Sequence, residues 1–214
     1  MNNMLKYIVI LLFFCTSVFA QDFDLPNKKS YAGIQGQVVF VDTEGEASAN
    51  AQGLANACAC TVFYSYEEST ISGRIFAGYQ ISPKLSFEIG YFNTSQVEVK
   101  YNGTASGGAW TANQTGEASG LDGAVLFNIS ETIYLKGGLH SSRIDELASI
   151  TVAGFTYTGT GASSGTGFLA GVGFKKDTES KKGFWTGDLI YYDSVGGVSD
   201  ATITFLSVGY GMYF

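Results

Sequence analysis

Proline is nearly missing from this chain of 214 residues: there are 2, against 28 glycines. That excludes a collagen-like or proline-rich disordered chain. Charge is scarce as well. Charged residues make up 14% of the sequence, well under the usual quarter, while aromatic residues also reach 14%. Disorder needs the reverse balance, high charge with few aromatics. A helical bundle would be rich in Ala, Leu, Glu and Lys rather than in Gly, Ser, Thr and Tyr. Mean hydropathy is +0.12, yet no long apolar run exists after the N-terminus. The hydrophobicity is therefore spread along the chain, whose length allows one domain or at most two small ones.

The single apolar run, nine residues from Tyr7 to Cys15, follows Lys6 and precedes Val18-Phe19-Ala20. This reads as an export signal peptide over residues 1–20, cleaved between Ala20 and Gln21. The run is far short of the roughly 20 residues that a membrane-spanning helix needs. Leu12-Phe13-Phe14 lacks the small residue that precedes a lipidated cysteine, so no N-terminal lipid is expected at Cys15. Removing residues 1–20 takes away Lys6 and leaves 11 basic against 19 acidic side chains. That balance excludes nucleic acid as a partner, since such binding rests on neutralising phosphates. Residues 21–29 are expected to form a short periplasmic segment before the folded domain, 30–214.

Within 30–214, period-two alternation recurs in segments of about ten residues, the signal of half-buried strands. Eight segments carry it: about 31–41, 70–81, 85–93, 119–129, 133–142, 166–176, 184–193 and 202–214. The connectors alternate in length. Ser82-Pro83-Lys84, Ser130-Glu131-Thr132 and Asp177 to Gly183 are short; Asp42 to Ser69, Thr94 to Ala118 and Arg143 to Gly165 are long, and Ser194 to Ala201 is short again. Short turns at one end and long loops at the other fit an eight-stranded antiparallel up-and-down β-barrel. Alternation continues into the long connectors, through Val97, Val99 and Tyr101 and through Ile150 and Val152. Ribbons are therefore expected to extend beyond the barrel.

The two faces of these strands differ in kind. One carries Ile71, Ile75, Phe87, Ile89, Leu121, Val125, Leu135, Leu139 and Leu189, and no charge in these strands. The other carries one charge near the middle of each of five strands, Arg74, Glu88, Asp122, Lys136 and Asp188, interleaved with glycine. A soluble lipocalin-like barrel would turn a face crowded with Lys and Glu to water. A charge-free apolar face suits lipid, where a charge at the midplane costs about 2–4 kcal/mol. The five charges are then expected to pair inside a narrow lumen, structurally or as an ion path. Aromatics fall into two belts: Tyr79, Phe87, Phe127, Phe174, Trp185 and Phe214 near the turns, and Phe40, Tyr91, Phe168 and Tyr191 near the loops. That is the membrane-interface pattern. The expected fold class is all-β, a transmembrane barrel.

The chain ends with Leu206, Val208, Tyr210, Met212 and Phe214 on one face. This ending, with a terminal aromatic residue, resembles the assembly signal of bacterial outer-membrane proteins. Gly73 to Tyr91 around Ser82-Pro83-Lys84, and Leu121 to Leu139 around Ser130-Glu131-Thr132, are similar to the paired strands of small OmpA/OmpX-type barrels. The resemblance covers about residues 30–214. It implies residence in the bacterial outer membrane, contact with its lipid and lipopolysaccharide, and assembly by the barrel-assembly machinery through Tyr210, Met212 and Phe214. It implies three long extracellular loops and a monomer. No peptidoglycan-binding domain is expected, so cell-wall anchoring is not implied.

Three function classes remain. The first is a structural or surface-interaction role, adhesin- or antigen-like, through the loops. There Asp42, Glu44, Glu46, Glu67 and Glu68 are acidic and Phe63, Tyr64 and Tyr66 are aromatic, a face for a host or surface ligand. The second is a narrow pore. The third is a lipid A-modifying enzyme: His140 and Ser142, with Glu146 downstream, resemble the His-x-Ser pair of an outer-membrane lipid A deacylase. Strand phase, however, turns that pair to the lumen, away from an acyl chain. No catalysis is expected. Cys58 and Cys60, one residue apart, are left open between a loop disulfide and free or intermolecular thiols. They offer too few ligands for a metal, and no metal or cofactor is expected.

Overall fold

A computed structural model describes residues 30–42, 44–105 and 108–214. The expected signal peptide, its Ala20–Gln21 cleavage site and the 21–29 segment lie outside the described residues.

Ten strands follow one another: β1 (Ser30–Val41), β2 (Thr61–Tyr66), β3 (Ser69–Ser82), β4 (Leu85–Thr94), β5 (Val97–Ala105), β6 (Gly108–Asn128), β7 (Ile133–Val152), β8 (Phe155–Asp177), β9 (Gly183–Tyr192) and β10 (Ile203–Tyr213). A helix, α1 (Glu44–Cys58), lies between β1 and β2, and a 3-10 turn, Val195–Gly197, lies between β9 and β10. Eight strands are hydrogen-bonded in an antiparallel ring, β1-β3-β4-β6-β7-β8-β9-β10, which closes where β10 pairs with β1. Ile34 stands opposite Tyr210, and the Phe214 N–H donates to the Ser30 carbonyl at 3.0 Å. Closure leaves the ring without an edge, the condition for strands that cross lipid.

Each ring strand contains one of the eight alternating segments, in the phase set by period two. Ile34, Ile71, Ile75, Ile89, Leu121 and Leu139 point outward and are 54–66% exposed. All ten belt aromatics point outward as well and are exposed, from 36% at Phe127 to 78% at Phe214. Arg74, Glu88, Asp122, Lys136 and Asp188 point inward and are buried.

The loop end holds more structure than a set of connectors. β6, β7 and β8 run to 21, 20 and 23 residues, about twice a membrane-spanning length. Their upper halves continue as a five-stranded sheet in the order β2-β5-β6-β7-β8. The tip of the β7–β8 hairpin is Ala153-Gly154, both at positive φ (50° and 83°), the two-residue turn whose twist matches a hairpin.

Helix α1 departs from the sequence reading, which finds no helical period there. Its buried face is Ala47, Ala51, Leu54 and Cys58, spaced at four, three and four residues. Small side chains give that stripe little hydropathy contrast, which hides the period. The stripe packs on Tyr101, Trp110, Ala112, Ile150 and Val152 of the extended sheet. Glu44 sits in the first turn, where the helix dipole favours negative charge. The helix ends where Ala59 takes a left-handed φ of 51° and the Cys60 N–H reaches back to the Ala55 carbonyl at 3.1 Å. Cys58 and Cys60 are bonded to each other at this end, Cα to Cα 5.2 Å.

Candidate functional site

Alternation delivers one inward side chain every second residue, and in a ring of eight those side chains meet across the lumen. They stack in three layers.

Nearest the turns is an aromatic layer. Tyr31, Phe76, Phe184 and Tyr213 pack with ring centroids 5.0–6.4 Å apart. The Lys175 ammonium lies 4.0 Å from the Phe184 ring centroid and 4.3 Å from that of Tyr31, a cation–π contact at the turn-end mouth.

Above it is the charged layer. Arg74 donates from Nε to Asp122 Oδ2 at 2.9 Å and from Nη2 to Asp122 Oδ1 at 2.6 Å. The same Nη2 reaches Glu88 Oε1 at 3.0 Å, and Nη1 donates to Gln35 Oε1 at 2.9 Å. Lys136 Nζ donates to Glu88 Oε1 at 2.7 Å. Tyr192 OH donates to Asp122 Oδ2 at 3.1 Å, and Tyr31 OH to Glu88 Oε2 at 3.4 Å. All five sequence-selected charges stand in this layer, but Asp188 corrects the expectation that acids and bases pair throughout. Among the described residues it has no cation partner. Its carboxylate accepts from Gln35 Nε2, Tyr134 OH and, at 3.3 Å, Ser207 Oγ. Gln35, Tyr134, Tyr192 and Ser207 are the partners that a search for charges passes over. Their shared inward phase is the signal that finds them.

Glycine makes room for this layer. A Cβ on Gly90 would overlap the Arg74 guanidinium, and one on Gly173 would overlap the Tyr134 ring and an Asp188 oxygen.

The third layer, towards the loops, is again aromatic. Phe92, Tyr192 and Phe205 pack at 5.0–5.4 Å, and His140 lies 5.0 Å from Tyr192. His140 and Ser142 both face the lumen and are buried, but they do not engage each other. His140 Nε2 donates to the Asp193 carbonyl at 2.7 Å, and Ser142 Oγ accepts the Gly196 N–H at 2.9 Å. Glu146 is exposed, four residues further along β7. The geometry thus does not assemble a nucleophile–base–acid set: His140 Nε2 and Ser142 Oγ each anchor the β9–β10 connection, and His140 Nδ1 is buried without a hydrogen-bond partner among the described residues.

At the loop end the helix–sheet module has its own core around Ala51, Tyr101 and Trp110. Its basic residues are few. Lys100 is paired with Glu98 at 2.5 Å, and Arg143 with Asp145 at 2.5 Å. The Lys100 ammonium, then Asn113, holds the Glu98 carboxyl below its ordinary value, and Arg143 does the same for Asp145. Among the described residues no group of acids, histidines and cysteines is placed to hold a metal.

A family model described as OmpA-like transmembrane domain matches residues 28–181. Among solved structures, the chain is similar to Ail, the attachment invasion locus protein of Yersinia pestis, in complex with the heparin analogue sucrose octasulfate. The match has 12% identity, a TM-score of 0.53, and covers 88% of this chain and 100% of that one. A second structure of the same Yersinia pestis protein matches with a TM-score of 0.52, the same identity and the same coverage. At this identity the likeness bears on the fold. No curated protein matches the chain.

Proposed function

The chain belongs to the OmpA-like transmembrane domain family, and from that premise we propose that this outer-membrane β-barrel serves as a non-catalytic platform for surface interaction. The observation that carries the reading is the loop-end module. A helix and five strands share a core there, so the long connectors form a fixed surface rather than a solvated fringe. The filled lumen supports the same reading. Two aromatic layers and an ion-pair layer leave the barrel wall to act as a mount, not as a conduit.

The partner favoured by charge is basic. Glu44, Glu67, Glu68 and Asp200 are exposed on the module and its rim, and its two cations are already paired. A sulfated ligand of the kind bound in the Ail structure finds no free cationic cluster among the described residues of the loop end. A host or surface protein with a basic face is the better complement.

Export through residues 1–20, a mature N-terminus at Gln21 and recognition of Tyr210, Met212 and Phe214 by the barrel-assembly machinery complete the proposal. Binding of cells displaying the protein to immobilised basic and acidic matrix proteins tests it. Leu54→Arg, which unseats α1 and spares the barrel, is expected to abolish binding to the basic set. Equal binding with and without the module would sink the reading.

A further inference from the structure

Between the upper aromatic layer and helix α1 lies a cavity of about 550 Å³, within the roughly 300–1,000 Å³ range of small-molecule sites. Its floor is apolar: Val39, Ala118, Ile144, Val195 and Ile203 line it, and Val39 and Val195 are fully buried. Those side chains belong to the same cluster as Phe92, Tyr192 and Phe205, and none of the five lumen charges lines the cavity.

Four acidic residues, Asp42, Glu117, Glu146 and Asp200, also line it, and no lysine or arginine does. None of the four carboxylates has a side-chain hydrogen-bond or ion-pair partner among the described residues, and the two basic residues of the loop end are held by Glu98 and Asp145. Glu146 shares the inward phase of Ile144, Ser142 and His140 on β7, which places it on the cavity side of the ribbon. An apolar pocket rimmed by unpaired carboxylates is complementary to one kind of small molecule. The apolar body is drawn by area removed from water, and the positive end by carboxylates that have no cation of their own. An anion of the same shape meets repulsion, and a neutral molecule leaves the acids unanswered.

We propose that this cavity binds an organic cation with an apolar body, an alkyl- or arylammonium compound. The site goes beyond the surface-interaction role: it shares Asp200 with the acidic rim but needs no macromolecular partner.

The test is methyl-detected NMR of the protein in phosphatidylcholine nanodiscs, titrated with octyltrimethylammonium, octanoate and octanol. The cation is expected to shift the methyls of Val39, Ile144, Val195 and Ile203 saturably. The outward methyls of Ile75 and Leu189, which report partition into the bilayer, move only in proportion to the added compound. Octanoate is expected to bind at least about tenfold more weakly than the cation. Glu146→Gln with Asp200→Asn, two exposed positions that leave the barrel intact, is expected to weaken the cation by about three- to tenfold and to leave octanol unchanged. Octanoate binding as tightly as the cation, an unaltered affinity in the double variant, or shifts confined to the outward methyls would each overturn the proposal.

Discussion

Arg74 and Asp122, forty-eight positions apart in sequence and on strands that flank β4, meet in the lumen through two hydrogen bonds of 2.9 and 2.6 Å, with both side chains fully shielded. The pair does more than hold two strands. Arg74 also reaches Glu88 and Gln35, so a single guanidinium neutralises acids from β4 and β6 and fixes an amide on β1. Its removal leaves two buried carboxylates with Lys136 alone to answer them. Arg74→Ala is therefore expected to destabilise the barrel by about 3–5 kcal/mol, the range for stranding a buried charge. Asp188→Asn, at a site held by neutral donors, is expected to cost clearly less. Urea unfolding from lipid vesicles measures both, and equal losses would contradict the central place given to Arg74.

The glycines opposite this layer give a second expectation. Gly90 leaves the volume that the Arg74 guanidinium occupies. Gly90→Ala forces that group aside, and the overpacking is expected to cost about 1–3 kcal/mol. Gly36→Ala, at a position with open space around it, is expected to be near neutral in the same assay. A Gly90→Ala barrel as stable as the parent would show that the lumen is looser than its contacts imply.

Stacked aromatic and ion-pair layers also predict the electrical behaviour. In planar bilayers the intact protein is expected to give no stable open steps. Phe92→Ala combined with Tyr192→Ala thins the loop-side layer and removes one donor to Asp122, but it too is expected to stay closed, because the Arg74, Glu88, Asp122 and Lys136 ion pairs and the Tyr31 cluster remain. Large stable steps from the intact protein would favour the pore reading over the platform.

Period two made the lumen legible. Once Ile71, Ile75 and Ile89 are assigned to lipid, Arg74, Glu88, Asp122, Lys136 and Asp188 have nowhere else to point. What period two does not carry is which partner each charge meets. Sign alone predicts a cation for Asp188 as for the others, yet it ends among Gln35, Tyr134 and Ser207, because partners across a closed ring depend on register and not on sign. Helix α1 was illegible for another reason. Its stripe of Ala47, Ala51, Leu54 and Cys58 does not stand out because alanine also occupies the exposed side, at Ala49 and Ala57, and only the sheet beneath, with Tyr101 and Trp110, makes one set of these small residues a buried face. Period two puts His140 and Ser142 on the Lys136 face, but their use as anchors for Asp193 and Gly196 depends on a connection that sequence alone leaves unplaced.

The pairing of Glu98 predicts a local acid response. Its carboxylate accepts from Lys100, at 2.5 Å, and from Asn113 Nδ2, at 2.6 Å, and both contacts hold its pKa down. A carboxyl lowered in the folded state contributes stability that is present above its unfolded pKa and lost as pH falls through the lowered value. The contribution at this exposed ribbon is small, so global unfolding is a poor gauge. The Asn113 side-chain amide resonances report it directly. They are expected to hold steady through neutral pH and to move only below the ordinary carboxylate range, with a matching loss of amide protection in β5. A midpoint at or above the usual glutamate value would mean that Lys100 and Asn113 do not hold the carboxylate in solution.

The turn at Ala153-Gly154 gives the last expectation. Ala153 sits at φ 50°, a left-handed conformation that an alanine side chain resists and that asparagine tolerates. Asn followed by Gly is the preferred pair for this two-residue hairpin. Ala153→Asn is therefore expected to stabilise the β7–β8 ribbon by up to about 1 kcal/mol. The gain would be read as slower amide exchange at Ser149 to Thr158, with exchange in the barrel strands unchanged. Because α1 rests on Ile150 and Val152 of the same ribbon, protection in α1 is expected to rise with it. Slower exchange in the ribbon without any change in α1 would show that helix and hairpin move independently, and the module would then not present one fixed surface.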